Sequence, residues 1–170
     1  MRVTLYSIQD CKPGRISIMA RPRGGDWLLD EVKDLAEAGI KVIASLLTED
    51  EINELDLSEE ASFCEQQGII YRSLPIIDRS IPPSNQATFT FIEQLHAQLV
   101  DGKHVVVHCR QGLGRAVLVA ASILVLNGFP PEQAFEQLSQ IRGYTVPETQ
   151  EQRDWVVAFA AHHQGTQWKG

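Results

Sequence analysis

Val105-Val106-Val107-His108-Cys109-Arg110-Gln111-Gly112-Leu113-Gly114-Arg115-Ala116 decides the fold of this chain. Three β-branched residues read as a buried strand, and the apolar run from Val117 to Leu126 reads as a helix. Between them lies a short turn with two glycines, Gly112 and Gly114, closed by Arg115. Strand, glycine loop and helix in this order make an anion cradle. Where side chains do not block the bend, consecutive backbone N–H groups turn inward, and such a nest at a helix N-terminus binds phosphate. Cys109 is expected at the bottom of the nest, where the helix dipole, the inward N–H groups and Arg115 favour thiolate over thiol. Arg115 carries a planar fork that can hold two oxygens of a phosphoryl group, which a lysine cannot do.

Outward from this stretch, strands and helices alternate. Val3 to Ile8 and Ile16 to Met19 read as an opening hairpin about the turn Lys12-Pro13-Gly14. The spacing of Trp27, Leu28, Val32, Leu35 and Ala36 predicts a helix over Trp27 to Ala38, closed by Gly39. Ile40 to Leu47 and Ile69 to Leu74 read as strands. Short helices are expected to start at Thr48 and at Ser58, the second ending near Gly68. Pro75 to Pro83 is too rich in proline for regular structure and reads as a surface loop. Further helices follow from a Ser84 cap through Val100, from Pro131 to Ile141 and from Pro147 to His163. The pattern predicts one α/β domain over residues 1–170, with a central, mainly parallel sheet flanked by helices on both faces.

Charge and composition exclude several classes of function. A net charge of −7 argues against general binding to nucleic acid or to an anionic membrane, so any anion site must be local. Three irregularly spaced cysteines, Cys11, Cys64 and Cys109, form neither a disulfide framework nor a zinc pattern and fit a reducing interior. The first residues lack the pattern of an export signal, and the apolar run Ala116 to Leu126 is too short to span a bilayer. A cytoplasmic monomer is expected. Cys11 and Cys64 read as ordinary buried cysteines, with a protective disulfide to Cys109 open as an alternative. His96, His104, His162 and His163 show no ligand pattern, and Arg21 and Arg23 read as part of a solvated loop.

His108-Cys109, five residues and Arg115, set between an apolar strand and an apolar helix, resemble the signature loop of the cysteine-dependent protein-tyrosine and dual-specificity phosphatases. The likeness covers most of the chain and is nearest the branch associated with cyclin-dependent-kinase inhibitors. It implies a dual-specificity-phosphatase-like fold and hydrolysis of phosphomonoesters through a phosphocysteine, with no cofactor and no metal ion. By this resemblance Cys109 is the nucleophile, and Arg110, Gln111, Gly112, Leu113, Gly114 and Arg115 bind the phosphoryl group. The family's general-acid aspartate lies on a loop about 30 residues before the cysteine, which matches Asp78 in Pro75-Ile76-Ile77-Asp78. Arg142-Gly143 and the segment Thr149 to Phe159 resemble the part that carries a water-positioning glutamine. Gln152 fits it by its spacing to Trp155 and Phe159, with Gln150 a near competitor. His108 supports the cysteine's backbone through its ring.

One residue departs from the family. Ala116 stands where most members carry a serine or threonine that donates to the leaving sulfur. Loss of one hydrogen bond to a charged partner is worth about 1.5–3 kcal/mol, which would slow phospho-enzyme breakdown roughly 10- to 100-fold. Three functions stay open at this point. They are a protein phosphatase acting on phosphotyrosine, and on phosphoserine or phosphothreonine if its pocket is shallow; a phosphatase of inositol phosphates or nucleotides; and a phosphate-binding module with little turnover.

Overall fold

The structure is a computed structural model that describes residues 3–8 and 11–167, with side chains through His163. Among these residues five strands form one sheet, β1 (Tyr6–Ser7), β2 (Arg15–Met19), β3 (Ile40–Ser45), β4 (Ile70–Ser73) and β5 (His104–His108), in the order β1-β2-β5-β3-β4. β1 and β2 pair antiparallel as the expected hairpin, and the other three pairings are parallel. β5 is therefore the centre of the sheet. Its valines alternate: Val105 and Val107 pack into one core and Val106 into another, as the two-residue period of a strand requires.

The Val106 face is covered by α1 (Leu28–Glu37) and α3 (Glu60–Gln66), through Leu28, Val32, Leu35 and Cys64. α2 (Glu49–Glu54) adds Ile52 at its margin. The opposite face is covered by α4 (Gln86–Val100), α5 (Arg115–Leu126), α6 (Pro131–Arg142) and α7 (Gln150–Gln167). α5 is the innermost of these and is buried without interruption from Arg115 to Leu124. Midway along it Ser122 donates its hydroxyl to Leu118 O at 2.8 Å, which satisfies that buried polar group.

Several element boundaries differ from the sequence reading, each for a local reason. Trp27 does not join the buried stripe of α1; it ends a 3₁₀ turn at Gly25–Trp27 and is 58% exposed. α4 is capped by Asn85 rather than Ser84, because the Asn85 side chain accepts the Thr88 N–H at 3.0 Å. α7 begins at Gln150, past Pro147, because Thr149 Oγ1 accepts the Gln152 N–H at 3.1 Å, and it runs on to Gln167. The proline-rich loop is not wholly on the surface either. Ile76 is buried, and its N–H donates to Leu46 O at 3.0 Å.

Candidate active site

β5 delivers His108 and Cys109 to the C-terminal edge of the sheet, the usual place for ligand sites in parallel α/β folds. Gly112 is required twice over. Its φ is +75°, and a Cβ there would lie 2.9 Å from Met19 O. This bend aims the Gly112 N–H at Cys109 Sγ, 3.3 Å away. Gly114 answers a different need, close approach: a Cβ there would meet Glu148 Oε1 at 2.6 Å and Gln152 Nε2 at 2.9 Å.

The loop's carbonyl oxygens are taken from outside. Arg110 O accepts the Arg21 N–H at 3.2 Å, and Arg142 donates through Nη2 to Gln111 O at 3.2 Å and through Nε to Gly112 O at 3.1 Å. Arg142 is itself braced over the Tyr6 ring at 4.0 Å. Peptide planes held this way by their carbonyls are what a cradle of inward N–H groups needs. The result is a small cleft of about 170 Å³ with Cys109 at its floor, lined also by Asp78, Arg110, Gln111, Leu113 and Gly114.

Arg115, the first residue of α5, lies under the cleft with its side chain 1% exposed. Its fork is already engaged with Glu51, Nη1 donating to Oε1 at 2.6 Å and Nη2 to Oε2 at 3.0 Å, while Nη1 also donates to Ile76 O at 2.7 Å. Nη2 lies 3.1 Å from Asp78 Oδ1. Nε is buried and has no hydrogen-bond partner among the described residues. Burial alone would lower the guanidinium's pKa, but Glu51, Cys109 and Asp78 raise it above its ordinary value. For Glu51 burial pushes upward, yet hydrogen bonds from Arg115 and Thr48 outweigh it and hold the carboxyl below the ordinary range.

His108 is fully buried between two acceptors, Glu60 Oε2 at 2.7 Å from Nε2 and Cys109 O at 3.3 Å from Nδ1. A carboxylate and a carbonyl cannot donate, so the ring satisfies both only as imidazolium. Burial works against that charge, but Glu60 and the Cys109 carbonyl more than offset it and raise the pKa.

Asp78 stands over the cleft with its side chain 52% exposed. Gln152 is fully buried, its amide accepting the Thr149 N–H at 3.3 Å, donating to Ser80 O at 3.2 Å and touching the Gly114 backbone. Gln150 points elsewhere and donates to Asp154 on the exposed side of α7. Cys109, Arg115, Asp78 and Gln152 thus converge on one loop, with His108 behind it. Cys11 and Cys64 do not: Cys64 lies in the core across the sheet, and Cys11 lines a cavity with His104 at the far end of β5. All three cysteines are free.

Sequence reasoning missed Glu51, Glu60, Arg79 and Glu148, and gave Arg142 no bonding role. Only Glu51 carried a local signal, the capping-box spacing Thr48-x-x-Glu51, which the structure confirms. Its partnership with Arg115, 64 residues away, was not legible.

The sheet, its helices and the loop at the end of β5 are those of the cysteine-dependent phosphatases. The structure matches a crystal structure of kinase associated phosphatase, carrying serine in place of its catalytic-site cysteine, with a TM-score of 0.85, 23% identity, and coverage of 95% of this chain and 96% of that one. It also matches Tk-PTP in its active form (TM-score 0.72, 23% identity, 88% and 93% covered) and PTPMT1 in complex with PI(5)P (TM-score 0.71, 19% identity, 89% and 93% covered). Residues 18–129 match the family described as the DSP-PTPase phosphatase of polymorphic toxin systems, and the chain belongs to it. Among curated proteins, cyclin-dependent kinase inhibitor 3 of Homo sapiens is 30% identical over 138 residues, covering 78% of this chain and 65% of that protein. The Rattus norvegicus protein of that name is 27% identical over 131 residues, covering 76% and 61%. The chain thus spans under two thirds of the length of these relatives.

Proposed function

We propose that this chain hydrolyses phosphomonoesters on proteins, phosphotyrosine and also phosphoserine and phosphothreonine, in two displacements through a phosphocysteine. The observation that carries the reading is the placement of Cys109 Sγ under the Gly112 N–H, with Asp78 lining the same cleft 3.1 Å from the buried Arg115. The Cys109 thiolate attacks phosphorus, forming the S–P bond as the P–O bond to the alcohol breaks. Loop amides and Arg115 Nε–H take the equatorial oxygens, and Asp78 gives its proton to the departing oxygen. Water held by the Gln152 amide then attacks, Asp78 takes its proton, and the S–P bond breaks to return thiolate and inorganic phosphate.

The imidazolium of His108, donating to the Cys109 carbonyl, fixes the nucleophile's backbone and takes no part in proton transfer. Ala116 is fully buried at the start of α5 and brings no hydroxyl to the leaving sulfur, so the second step is the slow one. The small size of the cleft suits all three phosphoamino acids. A multiply phosphorylated small molecule is disfavoured, because the two arginines at the rim are already answered: Arg110 by Glu54 and Arg79 by Glu148, each at 3.2 Å. Three free thiols fit a reducing cytoplasm, and the chain acts there as a monomer. No helix among the described residues is long and apolar enough to cross a membrane.

The test is hydrolysis of an aryl phosphate with chelator present. Turnover that disappears in Cys109→Ser while phosphate-ester binding persists supports the reading. Binding without turnover in the parent chain would make it a phosphate-binding module instead.

A further inference from the structure

Asp78, Arg79 and Ser80 follow one another in the loop between β4 and α4, and each is held from a different direction. Asp78 meets Arg115 at 3.1 Å, Arg79 Nη1 donates to Glu148 Oε2 at 3.2 Å, and Ser80 O accepts from Gln152 at 3.2 Å. Arg79 adopts φ +63°, a left-handed conformation that residues with side chains rarely hold. Glu148, from the segment before α7, stands against Gly114 on the rim of the phosphate cradle. A lone carboxylate there would repel a phosphoryl group. Paired with Arg79 across the cleft, it is neutralised and ties the Asp78 loop to the α7 side.

The first of the three ties cannot serve during the reaction. A general acid carries its proton, and a protonated Asp78 has lost its ion pair with Arg115 when it must be held in place. The Arg79–Glu148 contact does not depend on the proton that Asp78 carries. We infer that the Arg79–Glu148 ion pair positions the general acid, Glu148 anchoring Arg79 so that the adjoining Asp78 stays over the leaving oxygen while protonated. This rests on the reading of Asp78 as the acid, and Glu148 is a positioning residue that touches no reacting atom.

The leaving group separates positioning from mere structure. Departure of an acidic phenol needs little protonation, whereas an alkyl or unactivated phenyl oxygen needs the acid. kcat/KM, which reports the first displacement even where the second is the slow one, is measured on one ester of each kind for the parent chain, Glu148→Gln, Arg79→Gln, the double variant, Asp78→Ala, and Asp78→Ala with Glu148→Gln. Glu148→Gln is expected to lower kcat/KM on the unactivated ester about three- to fivefold, the size an exposed ion pair supports, and to leave the activated ester within about twofold; Arg79→Gln, which also bares the Glu148 carboxylate, should lower both, the unactivated ester more. The double variant should be no slower than either single one, and Glu148→Gln should cost nothing further once Asp78 is alanine. Equal losses on both esters, no loss on either, additive losses, or a further loss in the Asp78→Ala background would overturn the inference. If Asp78→Ala itself slows both esters equally, Asp78 is not the acid, and if the parent chain turns over neither ester the phosphatase reading fails; either result removes this inference at its foundation.

Discussion

β5 carries a histidine at each end, each near a cysteine, and the two ends have opposite chemistry. At the C-terminal end His108 faces the Glu60 carboxylate and its pKa is raised, although burial works against the charge. At the N-terminal end the His104 ring shares a hydrogen bond with the Ser17 hydroxyl at 2.7 Å, in a chain that continues to Ser7, and burial together with Arg15 lowers its pKa to about 4. The cysteines diverge likewise. Cys109 accepts a backbone N–H in a glycine loop at a helix start, while Cys11 accepts from the Asn127 amide at 3.6 Å and burial raises its pKa to about 11. Residue type does not make a reactive site; the charges and N–H groups brought to it by other elements do.

The largest expected effect breaks that comparison at the cysteines. Cys109→Ser should lower aryl-phosphate turnover by about 10³-fold or more, whereas Cys11→Ser should leave it within about twofold in the same assay. Next comes the support beneath the cleft. Glu51→Gln exchanges the bidentate partner of Arg115 for one weaker bond, and denaturant titration should show a loss of about 2–3 kcal/mol with a fall in turnover of about tenfold. Ala116→Ser restores a donor near the sulfur, and rapid-mixing kinetics should show the slow phase after the burst accelerating by about tenfold.

The smallest effects are in the pH dependence of stability, and they differ in sign between the two histidines. Because the folded pKa of His104 lies below 6.5, protonation favours the unfolded chain; the stability this group contributes is complete above pH 6.5 and is lost as pH falls toward 4. For His108 the folded pKa lies above 6.5, so its contribution is complete below pH 6.5 and is lost as pH rises through the elevated value. Denaturant midpoints across pH should therefore lose part of their acid slope in His104→Gln and part of their alkaline slope in Glu60→Gln. Unchanged slopes in both variants would show that the two ends of β5 are electrostatically alike.

The centre of the fold was legible because its signals are local. Three valines before Cys109 and an apolar helix after Arg115 fixed β5, the loop and α5 without knowledge of their neighbours. Convergence at the site was legible only through resemblance, which pointed to Asp78 and Gln152. The carboxylates that set the charges were not legible at all. Glu51 and Glu60 sit on the short helices expected from Thr48 and Ser58, and they reach Arg115 and His108 only because α2 and α3 follow β3 back to the same sheet edge. Trp27 erred the other way: its helical spacing implied burial, yet the chain enters α1 through a 3₁₀ turn that leaves it outside.

The central claim is that Cys109 is the nucleophile and carries the phosphoryl group between the two steps. Rapid mixing with an aryl phosphate, an acid quench within the burst and peptide mass analysis test it directly. The account predicts a phosphoryl adduct on the peptide containing Cys109, formed in step with the burst and depleted in Ala116→Ser. Turnover with no adduct on that peptide at any quench time, or with full activity in Cys109→Ser, would contradict it.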